Sequence, residues 1–165
     1  MEINDKMTID LEGIGEATAT AVKKEGERIL FVFDGTIGNS NMDNMDNFLS
    51  NLATKFPQPL QDRLEEIRLL DASEVFSDCD SPEWEWLLQH TKVKMENLQI
   101  PYFKSVYHRR VEYTLNEAFD YWWLCSAAFP SRGFVIVNSC GDALYNNASF
   151  SSGVRPLFVL KDKED

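Results

Sequence analysis

An α+β fold is what this sequence predicts, from three observations. Strongly apolar runs stand near both ends, Ile29-Leu30-Phe31-Val32-Phe33 and Val154 to Leu160. Between them, from Asp46 to His90, the apolar spacing turns helical. Twenty aromatics (11 Phe, 5 Tyr and 4 Trp) suit an irregular, loop-rich core filled by large rings.

Each segment has a local reason. Thr18 to Val22 and Arg28 to Phe33 read as a hairpin across the polar turn Lys23-Lys24-Glu25-Gly26-Glu27, where Gly26 supplies positive φ. Ile29 to Phe33 is apolar on both faces, which marks a central strand. Asp34-Gly35 and Gly38-Asn39-Ser40-Asn41 form a long turn. Phe48, Leu49 and Leu52 predict a short amphipathic helix, capped by Asn44 or Asp43 and stopped by Pro57 and Pro59. Leu60, Leu64 and Ile67 continue as a second helical face, and Ile67 to Leu70 turns into a short strand. Asp71-Ala72-Ser73-Glu74 is a capping box ahead of Val75 and Phe76. Asp80-Ser81-Pro82-Glu83 opens another helix, with Pro in its first turn and Trp84, Leu87 and Leu88 facing inward.

Residues 92–120 mix basic and aromatic side chains without a clear period, as long loops with short ordered pieces do. The chain is expected to be one domain, 1–165. Its parts are an N-terminal hairpin region (1–45), a helical segment (46–90), a loop-rich excursion (91–120) and C-terminal strands (121–161). Of Trp122 and Trp123, neighbours on one strand, one is expected in the core and the other on the surface.

Composition narrows function. No apolar run approaches the length of a membrane helix, and the acidic start is unlike a secretion signal, so a cytoplasmic protein is expected. Cys79, Cys125 and Cys140 form no Cys-x-x-Cys pair and are expected as free, buried thiols; with His90 and His108 they give no zinc spacing. No metal or other cofactor is expected. Nucleophile-elbow, P-loop and His-Glu-x-x-His motifs do not occur, so no catalytic residue is assigned. Asp34 is the best lone carboxylate, without a paired base at recognisable spacing.

The net charge is −11, which disfavours direct nucleic-acid binding. It is concentrated: between Asp62 and Glu85, nine acids (Asp62, Glu65, Glu66, Asp71, Glu74, Asp78, Asp80, Glu83 and Glu85) stand against Arg63 and Arg68. Such a face either keeps the protein soluble or meets a basic partner. Arg155 reads foremost as a structural group that pairs with a buried carboxylate or carbonyls, and Asn138, Asn146 and Asn147 as turn residues.

Tyr121-Trp122-Trp123-Leu124, then Val137-Asn138 with Gly141, then Gly153-Val154-Arg155-Pro156 follow one another at close spacing. This order resembles the C-terminal signature of the DUF6273-like bacterial and phage domains, distant relatives of the C-type-lectin-like fold of formylglycine-generating enzymes. Cys125 stands where that signature has arginine. The resemblance implies a lectin-like mixed-sheet core with short helices and long loops, its two terminal strands meeting in one sheet. It also implies a phage or mobile-element setting inside a bacterial host cell. Calcium-dependent sugar motifs are lacking, and Cys125 and Cys140 lack the neighbours of a copper-binding cysteine pair. The expected function is non-enzymatic protein binding. An acidic surface would engage a basic partner such as a nucleic-acid-binding nuclease, in the manner of an anti-CRISPR host-defence inhibitor. The alternative is a lectin-like adhesin or display module of a virion or cell surface.

Overall fold

The computed structural model describes residues 1–77, 82–91, 98–128 and 133–162 and contains two five-stranded sheets with short helices. The first sheet begins as an antiparallel meander of β1 (Lys6–Leu11), β2 (Gly15–Glu25) and β3 (Arg28–Phe33). The expected hairpin is therefore present, with Gly26 at φ +63 in its turn. It is preceded by a strand that was not expected.

The middle of the chain supplies β4 (Asn39–Ser40), a 3₁₀ turn (Met42–Asn44) and α1 (Met45–Ala53). Asn44 stands at the N-cap of α1 without a side-chain cap bond; Asn41 instead caps the 3₁₀ turn by accepting from the Asn44 amide. After Pro57 come α2 (Gln58–Gln61) and β5 (Leu64–Arg68). Leu60 of the expected second helical face is helical, in α2, whereas Leu64 and Ile67 are corrected to a strand. Leu64 and Ile67 share one face because a bulge at Glu65 inserts an extra residue between the Leu160 and Val159 pairings. An i, i+3 spacing on a bulged strand looks helical in sequence.

The capping box is as expected: Asp71 accepts from the Ser73 amide and Glu74 from the Asp71 amide at the start of α3 (Ala72–Phe76). In α4 (Pro82–His90) Leu87 is buried and Trp84 partly buried, whereas Leu88 faces solvent, a correction to its inward placement. A 3₁₀ turn (Pro101–Lys104) and α5 (Val106–Arg109) follow. The second sheet is completed by β6 (Trp122–Ala128), β7 (Gly133–Val137), β8 (Ala143–Asn147) and β9 (Ser152–Gly153). The chain then returns to the first sheet as β10 (Leu157–Lys161).

Strand order is β1-β2-β3-β10-β5 in one sheet and β4-β9-β6-β7-β8 in the other. The two apolar end segments do meet, Leu157 opposite Val32 and Phe158 opposite Phe31. β3 feeds both sides of its sheet. Leu30 and Val32 join Trp122, Leu124, Val135 and Val137 of the second sheet in a shared core, while Ile29, Phe31 and Phe33 pack with Leu52, Phe56 and Phe158. At roughly 25 cal/mol per Å² of apolar surface, this double-sided burial is the main stabilising contribution.

Both tryptophans of β6 are fully buried, which corrects the expectation of one at the surface. They do point to opposite faces, but each face is covered: Trp122 enters the shared core and Trp123 packs with Met45, Leu69 and Val154. Their indole N–H groups donate to the carbonyls of Arg109 and Ser40. Cys125 and Cys140 are free but exposed, not buried; Cys79 lies outside the described residues.

Gly153 has no room for a side chain. A Cβ there would lie 2.5 Å from the Phe119 carbonyl oxygen and 2.7 Å from that of Tyr121. Those atoms belong to backbone and cannot rotate away. Gly153→Ala is therefore expected to cost about 1–3 kcal/mol, read as a lowered midpoint in thermal or urea unfolding.

Candidate functional site

Among the described residues, a dense cluster of surface ion pairs lies along β5, an edge strand of the first sheet. Arg28, at the start of β3, reaches three carboxylates: Glu65 at 2.9 Å, Glu66 at 3.2 Å and Glu25 at 3.4 Å. Arg68 reaches Glu66 at 3.2 Å and Glu74 at 2.8 Å. Four glutamates thus share two arginines, and Glu25 also lies 3.3 Å from Lys23 Nζ. The antiparallel pairing that places β10 between β3 and β5 brings Arg28 across to the glutamates. The bulge at Glu65 lets both Glu65 and Glu66 reach the same guanidinium. The Glu74 hydrogen bonds hold Arg68 above its ordinary pKa, against the opposing effect of burial. Glu25, Arg28 and Arg68 are members of this cluster that sequence reasoning did not assign to it.

The remaining acids of the stretch occupy different places. Asp71 caps α3, and its oxygen also accepts from the Ser73 hydroxyl. Asp62 accepts from the Gln58 amide at 2.8 Å. Glu85 lies exposed on α4. Asp78, Asp80 and the Glu83 side chain fall outside the described residues. Cys125 stands beside this surface. The residue is exposed, but protein packed around the thiol partly desolvates it; that effect first, then the Asp71 and Glu74 charges, pushes it up to about 11, which keeps it protonated near neutrality.

A second polar cluster is interior. Asp34, fully buried at the end of β3, accepts from Lys6 Nζ at 2.6 Å and Thr20 Oγ1 at 2.5 Å. Burial opposes the Lys6 charge, yet the Asp34 hydrogen bond and field raise Lys6 above its ordinary value. Arg155, also fully buried, donates to the carbonyls of Phe33 at 2.6 Å and His108 at 2.9 Å, and its guanidinium lies 4.9 Å from the Trp122 ring centre. These bonds bear out the structural reading of Arg155. Asn138 and Asn147 serve turns, Asn138 accepting from the Cys140 and Asp142 amides and Asn147 from Ser149; Asn146 instead lies within β8, where it accepts from the Asn147 amide and donates to the Ser152 hydroxyl.

Tyr113 closes the same region. Its hydroxyl accepts from the Thr18 amide and donates to the Thr18 carbonyl, both at 2.9 Å. Burial pushes the phenol from 10.0 up to about 12. A raised acid holds its proton more tightly in the folded state. The stabilisation is therefore complete below pH 10 and is lost as pH rises through about 12. Tyr113→Phe is expected to lower stability at neutral pH by about 1–3 kcal/mol. It should also flatten the decline of the thermal midpoint above pH 10, read from melts across the alkaline range.

Among the described residues no group of three or more His, Cys, Asp or Glu side chains is placed to hold a metal, and no helix is long and apolar enough to cross a membrane. Comparisons with protein-family models, curated proteins and solved structures returned no match.

Proposed function

We propose that this chain is a non-enzymatic protein-binding domain whose acidic β5 edge docks on a basic partner. The observation that carries this reading is the sharing of Arg28 and Arg68 among Glu25, Glu65, Glu66 and Glu74. Arg28, Arg68 and Lys23, which lies 3.3 Å from Glu25, balance three of the four carboxylates, so the network keeps an excess of one negative charge at fixed positions. The more exposed pairs of Arg28 with Glu25, Glu65 and Glu66 contribute only about 0–1 kcal/mol each to stability, unlike the part-buried, bidentate Arg68–Glu74 pair. Folding accounts for Glu74, which caps α3, but is a weak reason to gather Glu25, Glu65 and Glu66 here. A lysine or arginine from a partner would supply the missing positive charge and gain charge-assisted hydrogen bonds to preorganised oxygens.

The setting follows from the resemblance: a phage or mobile-element protein acting in the bacterial cytoplasm on a basic, nucleic-acid-binding host protein, as a host-defence inhibitor does. The lectin-like assignment of the core belongs to the same proposal. It is supported by the pairing of β3 with the C-terminal strand β10, in the sheet that also holds the N-terminal strand β1, and by the long excursion that precedes β6.

Affinity purification from the native host tests this function. Wild-type chain should retain a basic nucleic-acid-binding protein, and the Glu65→Lys/Glu66→Lys variant should lose it while unfolding at a similar temperature. Recovery of envelope or virion components by both proteins would instead support an adhesin.

A further inference from the structure

The two sheets have four edges, and three are protected. β1 carries Lys6 and Asp10, β4 is only two residues long, and β5 carries Glu65, Glu66 and Arg68 with a bulge. Charge, shortness and bulges are the usual means of keeping an edge from pairing with another chain. β8, Ala143-Leu144-Tyr145-Asn146-Asn147, has none of them. Leu144 and Tyr145 are 46% and 43% exposed, and Leu144 lines a cleft of about 270 Å³ with Tyr121 and Ile136.

The phase of the β7–β8 ladder shows which backbone groups point outward. The Asn138 amide donates to the Asp142 carbonyl, so this pair is hydrogen-bonded. Alternation makes Ile136–Leu144 and Phe134–Asn146 the next bonded pairs. Ala143, Tyr145 and Asn147 therefore turn their N–H and C=O groups to the open side. Asn147 is satisfied locally: its amide donates to Asn146 Oδ1, and its carbonyl accepts from the Phe150 amide. Ala143 and Tyr145 remain open.

We infer that β8 is a self-association edge, pairing antiparallel with β8 of a second copy about a two-fold axis at Leu144. In this register Ala143 of each copy faces Tyr145 of the other, and the open groups of both residues form four hydrogen bonds. Leu144 faces its own copy at a non-hydrogen-bonded position, where side chains approach most closely. On the opposite face, each large Tyr145 side chain, stacked on Trp86 at 5.9 Å, lies across from the small Ala143. Charge points to β8 rather than β5 as the edge where two copies can meet. The chain carries −11, so copies repel along β5, whereas β8 has no charged side chain. The two second sheets become one continuous sheet with no open β8 edge.

Sedimentation across the micromolar range is expected to show a concentration-dependent dimer. Leu144→Lys, which places like charges opposite each other, and Tyr145→Pro, which removes an amide that β7 does not use, should each raise the dimer dissociation constant by about tenfold or more. Hydrogen exchange of wild type supplies a readout free of folding effects: the Ala143 and Tyr145 amides should become protected as concentration rises. A wild-type monomer throughout, a dimer unaffected by either variant, or amides indifferent to concentration would each overturn the inference. The dimer does not depend on the β5 glutamates, so its failure leaves the proposed function standing.

Discussion

Arg155→Met is expected to lower the unfolding free energy by about 2–5 kcal/mol, from two carbonyls left without donors at about 1–3 kcal/mol each. The substituted side chain fills similar space but leaves the Phe33 and His108 carbonyls buried without their donors. It also removes the cation from the faces of Trp122 and Phe103, 4.9 and 5.6 Å away. Burial pulls the guanidinium down from its ordinary pKa, and the fields of Tyr102 and Asp34 offset part of that cost. For a chain of this size the loss corresponds to a fall in thermal midpoint of roughly 10 °C. Arg155→Lys should recover only part of it, because a lysine cannot present the rigid planar fork that spans both carbonyls. A loss below about 1 kcal/mol in urea unfolding would show that the carbonyls are satisfied without arginine.

Phe158→Ala should be comparably severe, at about 3–5 kcal/mol. Phe158 lies on β10 between β3 and β5, and three rings converge on it: Phe31 at 5.1 Å, Phe33 at 5.0 Å and Phe56 at 5.2 Å. Removing the central ring leaves a cavity that strands held on both sides cannot collapse to fill. Phe158→Leu keeps most of the volume and should cost much less, about 1.5 kcal/mol. Equal losses for the two variants in urea unfolding would mean that ring volume is not what Phe158 contributes.

Local chemistry in the sequence was a good guide where one residue decides the backbone. The Asp71–Glu74 capping box, the Gly26 turn and the doubly apolar Ile29–Phe33 strand were all legible. Long-range geometry was less so. Leu64 and Ile67 carried a helical spacing only because a bulge at Glu65 put them on one face of a strand. Lys6-Met7-Thr8-Ile9-Asp10-Leu11 alternates with period two, with Ile9 and Leu11 buried, a strand signal that was present but passed over. Trp122 and Trp123 could not be assigned from the sequence, since strand alternation says that they diverge and not that both faces are covered.

The candidate site was visible in part. Crowding of acids from Asp62 to Glu85 pointed to the strand that carries the ion-pair cluster, but charge density does not reveal pairing. Arg28 stands far from Glu65 and Glu66 in sequence and reaches them only because β10 bridges β3 and β5. Asp71 and Glu74, counted as surface acids, are the two halves of a helix cap.

Association kinetics test the central claim most directly. The partner captured from the host is mixed with wild type and with Glu65→Lys/Glu66→Lys at two salt concentrations. Electrostatic docking predicts a wild-type rate that falls steeply with added salt. It also predicts a variant rate lower by about tenfold at low salt and nearly insensitive to it. Equal rates for two folded proteins, with the same salt dependence, would contradict a binding role for the acidic edge.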